Sequence, residues 1–230
     1  MRDVIEQLQQ ALRLLLAHSD LTVLREQTDQ RRDRLRRRPG GSRVVQNLEV
    51  DIESGHTYGT LLVDPPWLYR NASCRGAAAH HYPGMKLKDL AALPLAALAA
   101  EDAHLWLWTT NSFLFEAGEL LRAWGFEYKT NLIWIKEELG LGNYLRSSHE
   151  ILLFATRGNP GFRRKDQASW VVAPRRRHSE KPEVIREMIE ACSPAPRIEL
   201  FARRRPPGWS VWGNQIEAPT LFDSLEEENL

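Results

Sequence analysis

The sequence predicts an α/β fold with a mostly parallel central sheet and helices on both faces, and two observations predict it. Short apolar segments of β type recur at 60–63, 104–109, 132–136, 150–155 and 197–201. Helical segments lie among them at 87–100, 112–124 and 181–191. Strands alternating with helices of roughly 10–15 residues require crossover connections, which run neighbouring strands parallel and cover the sheet on both sides. A chain of 230 residues can bury one such core with an appendage.

The appendage comes first. Ile5, Leu8, Leu12 and Leu15 follow the 3, 4, 3 spacing of one helical face. Ser19 and Asp20 interrupt that run and can cap a second helix, which carries Leu21, Leu24 and Leu35 until Pro39-Gly40-Gly41 stops it. Residues 1–43 therefore form a helical arm, and residues 31–43 hold seven arginines against one aspartate. Such an arm suits packing or dimerisation through its leucines, contact with nucleic-acid phosphates through its arginines, or both. Residues 44–217 are the α/β body, and 218–230 form an acidic tail that includes Glu226-Glu227-Glu228.

Charge distribution says more than its sum. Lys and Arg total 31 and Asp and Glu 30, so no global field marks a polyanion binder. The basic runs are nonetheless segregated, at Arg163-Arg164-Lys165, Arg175-Arg176-Arg177-His178 and Arg203-Arg204-Arg205. Segregated positive patches on a neutral chain fit a polyanionic partner. No apolar run approaches the length of a membrane span, and Asp3 and Glu6 stand where a secretory leader would be basic. Two cysteines far apart, Cys74 and Cys192, make neither a disulfide framework nor a zinc knuckle, and His80-His81 lacks spaced companions for a metal. The expectation is a reduced, cytoplasmic protein with no metal.

In open α/β sheets ligands bind beyond the carboxyl ends of the strands. The first such end reads Leu61-Leu62-Val63-Asp64-Pro65-Pro66-Trp67. An apolar strand delivers Asp64 to the sheet edge. Two prolines fix φ and remove two backbone donors, which leaves carbonyls as acceptors. Trp67 adds a flat apolar wall. A rigid niche of this kind accepts hydrogen bonds from an amino group and stacks on a planar ring, as the exocyclic amine of a nucleobase requires. The bland alternative is a Pro-Pro turn capped by Asp64 beside a buried tryptophan.

D-P-P-W after a strand resembles the catalytic motif of the adenine-N6 methyltransferases related to the catalytic subunit of the eukaryotic messenger-RNA adenine methyltransferase. Further segments resemble that family in order: His81-Tyr82-Pro83-Gly84-Met85, His104-Leu105-Trp106-Leu107-Trp108-Thr109 and Leu132-Ile133-Trp134-Ile135-Lys136. His178-Ser179-Glu180-Lys181-Pro182-Glu183, Arg197-Ile198-Glu199-Leu200-Phe201-Ala202-Arg203 and Trp209-Ser210-Val211-Trp212-Gly213-Asn214-Gln215 complete the set. The resemblance implies a Rossmann-like S-adenosylmethionine-dependent methyltransferase fold over 44–217, of the bacterial or phage type. Its implied catalytic residues are Asp64, Pro65, Pro66 and Trp67.

For the donor the resemblance implies Asp64, Lys181, Glu199, Phe201, Arg203, Asn214 and Gln215. An ammonium at a helix start suits the donor's methionine carboxylate. Glu199, Phe201 and Arg203 suit the ribose side, and the amides of Asn214 and Gln215 suit hydroxyls or the adenine edge. Contact with the donor's adenine falls near 45–48. The nucleic acid is expected at Tyr69, Arg70, Tyr82, Arg175, Arg176, Arg177 and His178, where arginines among aromatics permit backbone tracking and stacking. DNA is favoured over RNA by the compact body and short basic arm, which would put the protein at the nucleoid; the helices 1–43 would serve a homodimer or heterodimer. Two other readings use the same residues: a non-catalytic methyltransferase-like subunit that scaffolds nucleic acid, and a DNA-binding regulator acting through 1–43.

Overall fold

A computed structural model describes residues 41–69, 84–136, 139–140, 144–174, 180–214 and 216. The arm through residue 40 and the acidic tail lie outside the described residues, as do Arg70, Tyr82, Arg175, Arg176, Arg177, His178 and Gln215.

The described residues build one eight-stranded sheet. In chain order its strands are β1 (Arg43–Val44), β2 (Tyr58–Val63), β3 (Ala99–Thr109), β4 (Glu127–Ile135), β5 (His149–Arg157), β6 (Trp170–Val172), β7 (Arg197–Leu200) and β8 (Ser210–Trp212). The helices are α1 (Leu48–Glu53), α2 (Leu87–Ala91), α3 (Leu95–Leu98), α4 (Leu114–Ala123) and α5 (Glu183–Cys192). The spatial order is β1-β8-β7-β2-β3-β5-β4-β6. All neighbours run parallel except at β5, which is antiparallel to both β3 and β4. The expected mostly parallel α/β architecture is present, with one reversed inner strand.

β2 is central because every one of its six residues is buried, a pattern only a strand covered on both faces can hold. Leu61 and Val63 pack on one side with α2, α3 and α4, through Leu90, Leu95, Leu120 and Trp124. Leu62 packs on the other with Trp106, Trp108 and the apolar face of α5. That face is Ile185, Met188, Ile189 and Cys192, whose spacing puts them on one stripe. Each such buried side chain contributes about 1.5–3 kcal/mol of transfer free energy. Arg186, on the charged flank of α5, is fastened to Glu199 of β7 at 2.5 Å and to Glu183 at 3.3 Å.

Three elements differ from the sequence expectation. The helix expected over 87–100 is split into α2 and α3, with Pro94 at the N-cap of α3 and Ala99 already in β3. Proline lacks the N–H that a continuous helix needs, so the break falls where the chemistry demands. Ser42 and Arg43, assigned to the arm, belong to the body. The Ser42 hydroxyl donates to the Trp209 carbonyl at 3.1 Å, and Arg43 donates to Asp51 at 2.6 Å and to the Tyr58 hydroxyl at 2.5 Å. Finally β1, β6 and β8, of two or three residues each, are too short to leave a periodic signal.

Candidate active site

The niche forms at the carboxyl end of β2. Asp64 continues the alternation of Leu62 and so faces α5. Its neighbours at that edge are fixed by sheet order, because β7 lies between β2 and β8. Phe201, the residue after β7, lies in the left-handed region, at φ 61. A residue with a Cβ pays roughly 1–2 kcal/mol for that conformation, and here it turns the chain sharply into Ala202 and Arg203. Gly213 follows β8 so closely that an added Cβ would lie 2.6 Å from the Ala202 carbonyl oxygen. The ends of β7 and β8 therefore touch, and Asn214 follows in an exposed position.

The prolines behave differently from expectation in one respect. The Pro65 carbonyl already accepts from the Trp67 N–H at 2.9 Å, and the Pro66 carbonyl accepts from Met85 N–H at 2.8 Å. Pro65 keeps one lone pair for a ligand, since a carbonyl oxygen has two; the Pro66 carbonyl holds the start of the returning chain. Gly84 passes Leu68 so closely that a Cβ there would lie 2.6 Å from the Leu68 Cα.

Trp67 is stacked on Phe113, with centroids 5.0 Å apart and planes at 12°, and its indole N–H donates to the Trp108 carbonyl at 3.2 Å. Tyr69 meets the edge of Phe113 at 4.8 Å and hydrogen-bonds with the Thr110 hydroxyl at 3.2 Å. Burial pushes the Tyr69 phenol above its ordinary value, so it remains a neutral hydroxyl. An aromatic wall of three rings thus stands beside Asp64.

Charge is concentrated in a four-membered chain. The Lys181 ammonium donates to both Asp64 oxygens, at 2.9 and 2.7 Å, and lies 3.5 Å from Glu150. Glu150 in turn pairs with Lys136. All four side chains are mostly buried, the most exposed being Asp64 at 20%. Tryptophan rings floor the cluster, with Lys181 5.2 Å over Trp108 and Lys136 4.5 Å over Trp134. Burial pushes the Asp64 carboxyl above its ordinary value, against the pull of Lys181. Burial also works against the Lys181 charge, yet Asp64 and Glu150 hold its ammonium above the ordinary lysine value. Glu150, desolvated but flanked by Lys181 and Lys136, is held below the ordinary glutamate value.

The structure thus brings together Asp64, Pro65, Trp67, Tyr69 and Lys181, and adjoins them to Phe201, Arg203 and Asn214 by sheet order. Glu199 is placed apart. It sits inside β7 rather than at its end, turned to α5, where Arg186 holds its carboxylate. Lys181 precedes α5 by two residues instead of opening it, and Pro182 stands at the N-cap. Asn47, near the expected adenine contact, accepts from the N–H groups of Glu49 and Val50 and caps α1. Glu150 and Phe113 were not singled out from the sequence, and Lys136 entered only as the last residue of the Leu132-Ile133-Trp134-Ile135-Lys136 segment. Glu150 begins a strand, and only the reversal of β5 brings a strand's beginning to the carboxyl edge of the others.

No helix among the described residues is long and apolar enough to cross a membrane. Among the same residues no group of three His, Cys, Asp or Glu side chains is placed to hold a metal ion.

An acid at the tip of an inner strand, an aromatic wall and a paired ammonium thus meet at the carboxyl edge of the α/β sheet. The chain belongs to the MT-A70 family, whose profile matches residues 58–215. It is 33% identical over 190 residues to the type II methyltransferase M.MunI of Mycoplasma sp, covering 71% of this chain and 82% of that protein. It is 30% identical over 191 residues to the N(6)-adenosine-methyltransferase catalytic subunit METTL3 of Homo sapiens, covering 78% of this chain. A relative from Arabidopsis thaliana, N(6)-adenosine-methyltransferase MT-A70-like, is 29% identical over 190 residues. The chain spans 31% and 26% of the length of these two eukaryotic proteins.

Proposed function

We propose that this chain transfers a methyl group from S-adenosylmethionine to the N6 amino nitrogen of adenine in nucleic acid, DNA in preference to RNA. The observation that carries the reading is the D-P-P-W turn at the tip of β2, with Lys181 on Asp64 and the ends of β7 and β8 alongside. The arrangement is read as a Rossmann-like methyltransferase fold with its donor across those three strand ends.

The chemistry of the residues fits a zwitterionic donor. Lys181 offers N–H donors to a carboxylate, while Asp64 offers acceptors to an amine. Phe201 and Arg203 flank the ribose, and Asn214 and Gln215 bond its hydroxyls or the adenine edge. Glu199 braces β7 through Arg186 and reads no ligand in this scheme. The bound donor supplies an electrophilic methyl carbon on a sulfonium sulfur.

The adenine amino nitrogen is a poor nucleophile because its lone pair is delocalised into the ring. Asp64 and the free lone pair of the Pro65 carbonyl accept its two N–H groups, which favours a pyramidal nitrogen with its lone pair directed at the methyl carbon. As the N–C bond forms and the S–C bond breaks, positive charge develops on N6 and the Asp64 carboxylate stabilises it. The N6 proton then passes to Asp64 and on to solvent. Catalysis here is positioning and electrostatics, with no covalent enzyme intermediate. Trp67, backed by Phe113, and Tyr69 hold the base; in a duplex the base must first be extruded, at about a few kcal/mol.

Arg70, Tyr82, Arg175, Arg176, Arg177 and His178 track the backbone and stack on flanking bases. Residues 1–43 act as a basic arm on phosphates and as a pairing surface for a second subunit. The preference for DNA is supported by the extent of the match: the chain covers most of the Mycoplasma methyltransferase but under a third of METTL3. The protein works in the cytoplasm, at the nucleoid. The test is transfer of labelled methyl to matched single-stranded and duplex DNA and RNA, with nucleoside analysis of the product. N6-methyladenine in DNA is expected; label on RNA alone overturns the substrate, and no label on any of the four overturns the enzyme in favour of a scaffold.

A further inference from the structure

The aromatic wall of the niche can hold a base but not read one. Trp67 spends its indole N–H on the Trp108 carbonyl, and Tyr69 and Thr110 turn their hydroxyls to each other. Stacking on such a wall is tolerant, because every base has a π-face. Discrimination between bases needs directed donors and acceptors at the rim.

Asn111 and His149 stand at that rim. β3 and β5 run antiparallel with Thr109 opposite Ile151. Two steps further along the same register Asn111 falls opposite His149, just past the end of β3. Their side chains meet there, with the Asn111 Oδ1 and the His149 Nε2 3.1 Å apart. His149 alternates with Glu150 and so shares the sheet face of Ile151, whose apolar cluster Trp67 also packs against. Asn111 opens the short turn Asn111–Phe113, and Phe113 is the ring stacked on Trp67. The pair therefore lies on the same side of the sheet as the wall. It joins the turn that backs Trp67 to the start of β5.

Asn111 is exposed and His149 half-buried. A hydrogen bond so open to water contributes little to stability, since water can replace either partner. Its effect is to fix orientation. An amide oxygen only accepts, so the His149 Nε2 carries the proton, and the Asn111 Nδ2 keeps two N–H donors for a ligand. A neutral imidazole protonated at Nε2 keeps Nδ1 as an acceptor. The pair thus offers donors together with an acceptor. Adenine presents the complement in the major groove, an N7 acceptor beside the N6 amino donor, whereas guanine presents two acceptors there.

We infer that Asn111 and His149 form a reading pair that selects the base next to the target adenine, with adenine as the base whose edge it complements. The inference rests on the methyl-transfer reading and gives it sequence specificity through two residues no motif marks.

The test is methyl transfer to a pool of duplex DNA oligonucleotides with one target adenine and randomised neighbours, the methylated strands being captured and sequenced. The unaltered chain is expected to prefer adenine at one adjacent position by about 10- to 100-fold. Asn111→Ala and His149→Phe should each collapse that preference. Asn111→Asp keeps an acceptor for His149 and exchanges the two donors for a further acceptor, so the preference should move to cytosine, whose N4 amino group donates. A merely structural pair would lower transfer alike in every context. Such a uniform loss, an adenine preference that survives the substitutions, or an unaltered chain that prefers another base or none, overturns the inference. If the unaltered chain methylates no adenine in the pool, the methyl-transfer reading of DNA falls first and this one with it; methylation with any of the other contrary outcomes removes this one alone.

Discussion

Lys181 and Asp64 are 117 residues apart and meet in a two-pronged ion pair of 2.9 and 2.7 Å. The segment before α5 is thereby tied to the tip of β2. A second tie runs from Arg204, in the turn after β7, to Glu180 at 2.7 Å. The edge of the sheet is closed by charge where the apolar core stops, and the first of these ties, Lys181 to Asp64, is the one the proposed reaction uses.

Asp64→Ala is expected to reduce transfer by about 10³-fold or more, because it removes the acceptor that stabilises the developing charge. Donor binding, followed by calorimetry, should remain measurable. In the parent the carboxyl is raised by burial, so kcat/KM should fall with decreasing pH starting above the ordinary aspartate range. A variant with full turnover would falsify the assignment of Asp64.

Trp67→Ala should weaken capture of the base. Stacking on an aromatic ring contributes about 1–3 kcal/mol per base, so KM for the nucleic acid should rise about 10- to 100-fold while donor affinity holds. Phe113→Ala should show the same trend more weakly, because it removes the ring stacked behind Trp67 at 5.0 Å. Donor and nucleic-acid titrations separate the two effects.

Gly213→Ala tests the contact between the ends of β7 and β8. Its Cβ would meet the Ala202 carbonyl oxygen at 2.6 Å and the Ala202 nitrogen at 2.9 Å, both backbone atoms that cannot swing away. Overpacking of this kind costs about 1–3 kcal/mol. A lower Tm is expected together with a larger donor Kd, since the displaced strand ends are the proposed donor cradle. Unchanged donor affinity would remove Gly213 from that cradle.

His104 sets an acid limit on stability. It is fully buried, it hydrogen-bonds with the Ser193 hydroxyl at 2.9 Å, and burial lowers its pKa to about 4. The unfolded chain binds this proton near the ordinary value of about 6.5. The unfolded state therefore holds more protons between those values, and stability falls as pH drops through that window. The full loss is about 3 kcal/mol. Urea midpoints measured from pH 7 to pH 4 should follow this slope in the parent, and His104→Gln should flatten it.

The sequence by itself determined the α/β class, the fully buried β2 and the D-P-P-W turn, because each is local: a run of apolar residues, a proline pair, an acid at a strand end. The break at Pro94 was equally local, and the continuous helix expected there overlooked a missing N–H. Strand direction is not local. A two-residue alternation reads the same forwards and backwards, so nothing in residues 149–157 announced that β5 runs against its neighbours. That reversal alone brings Glu150, the second residue of a strand, to the edge where Asp64 ends one. Side-chain pairing is not local either: Glu199 looked like a strand-end acid, but the position of α5 gave it to Arg186. Tertiary structure decided which charges meet, because buried charges must find partners and the sheet order fixes which partners lie within reach.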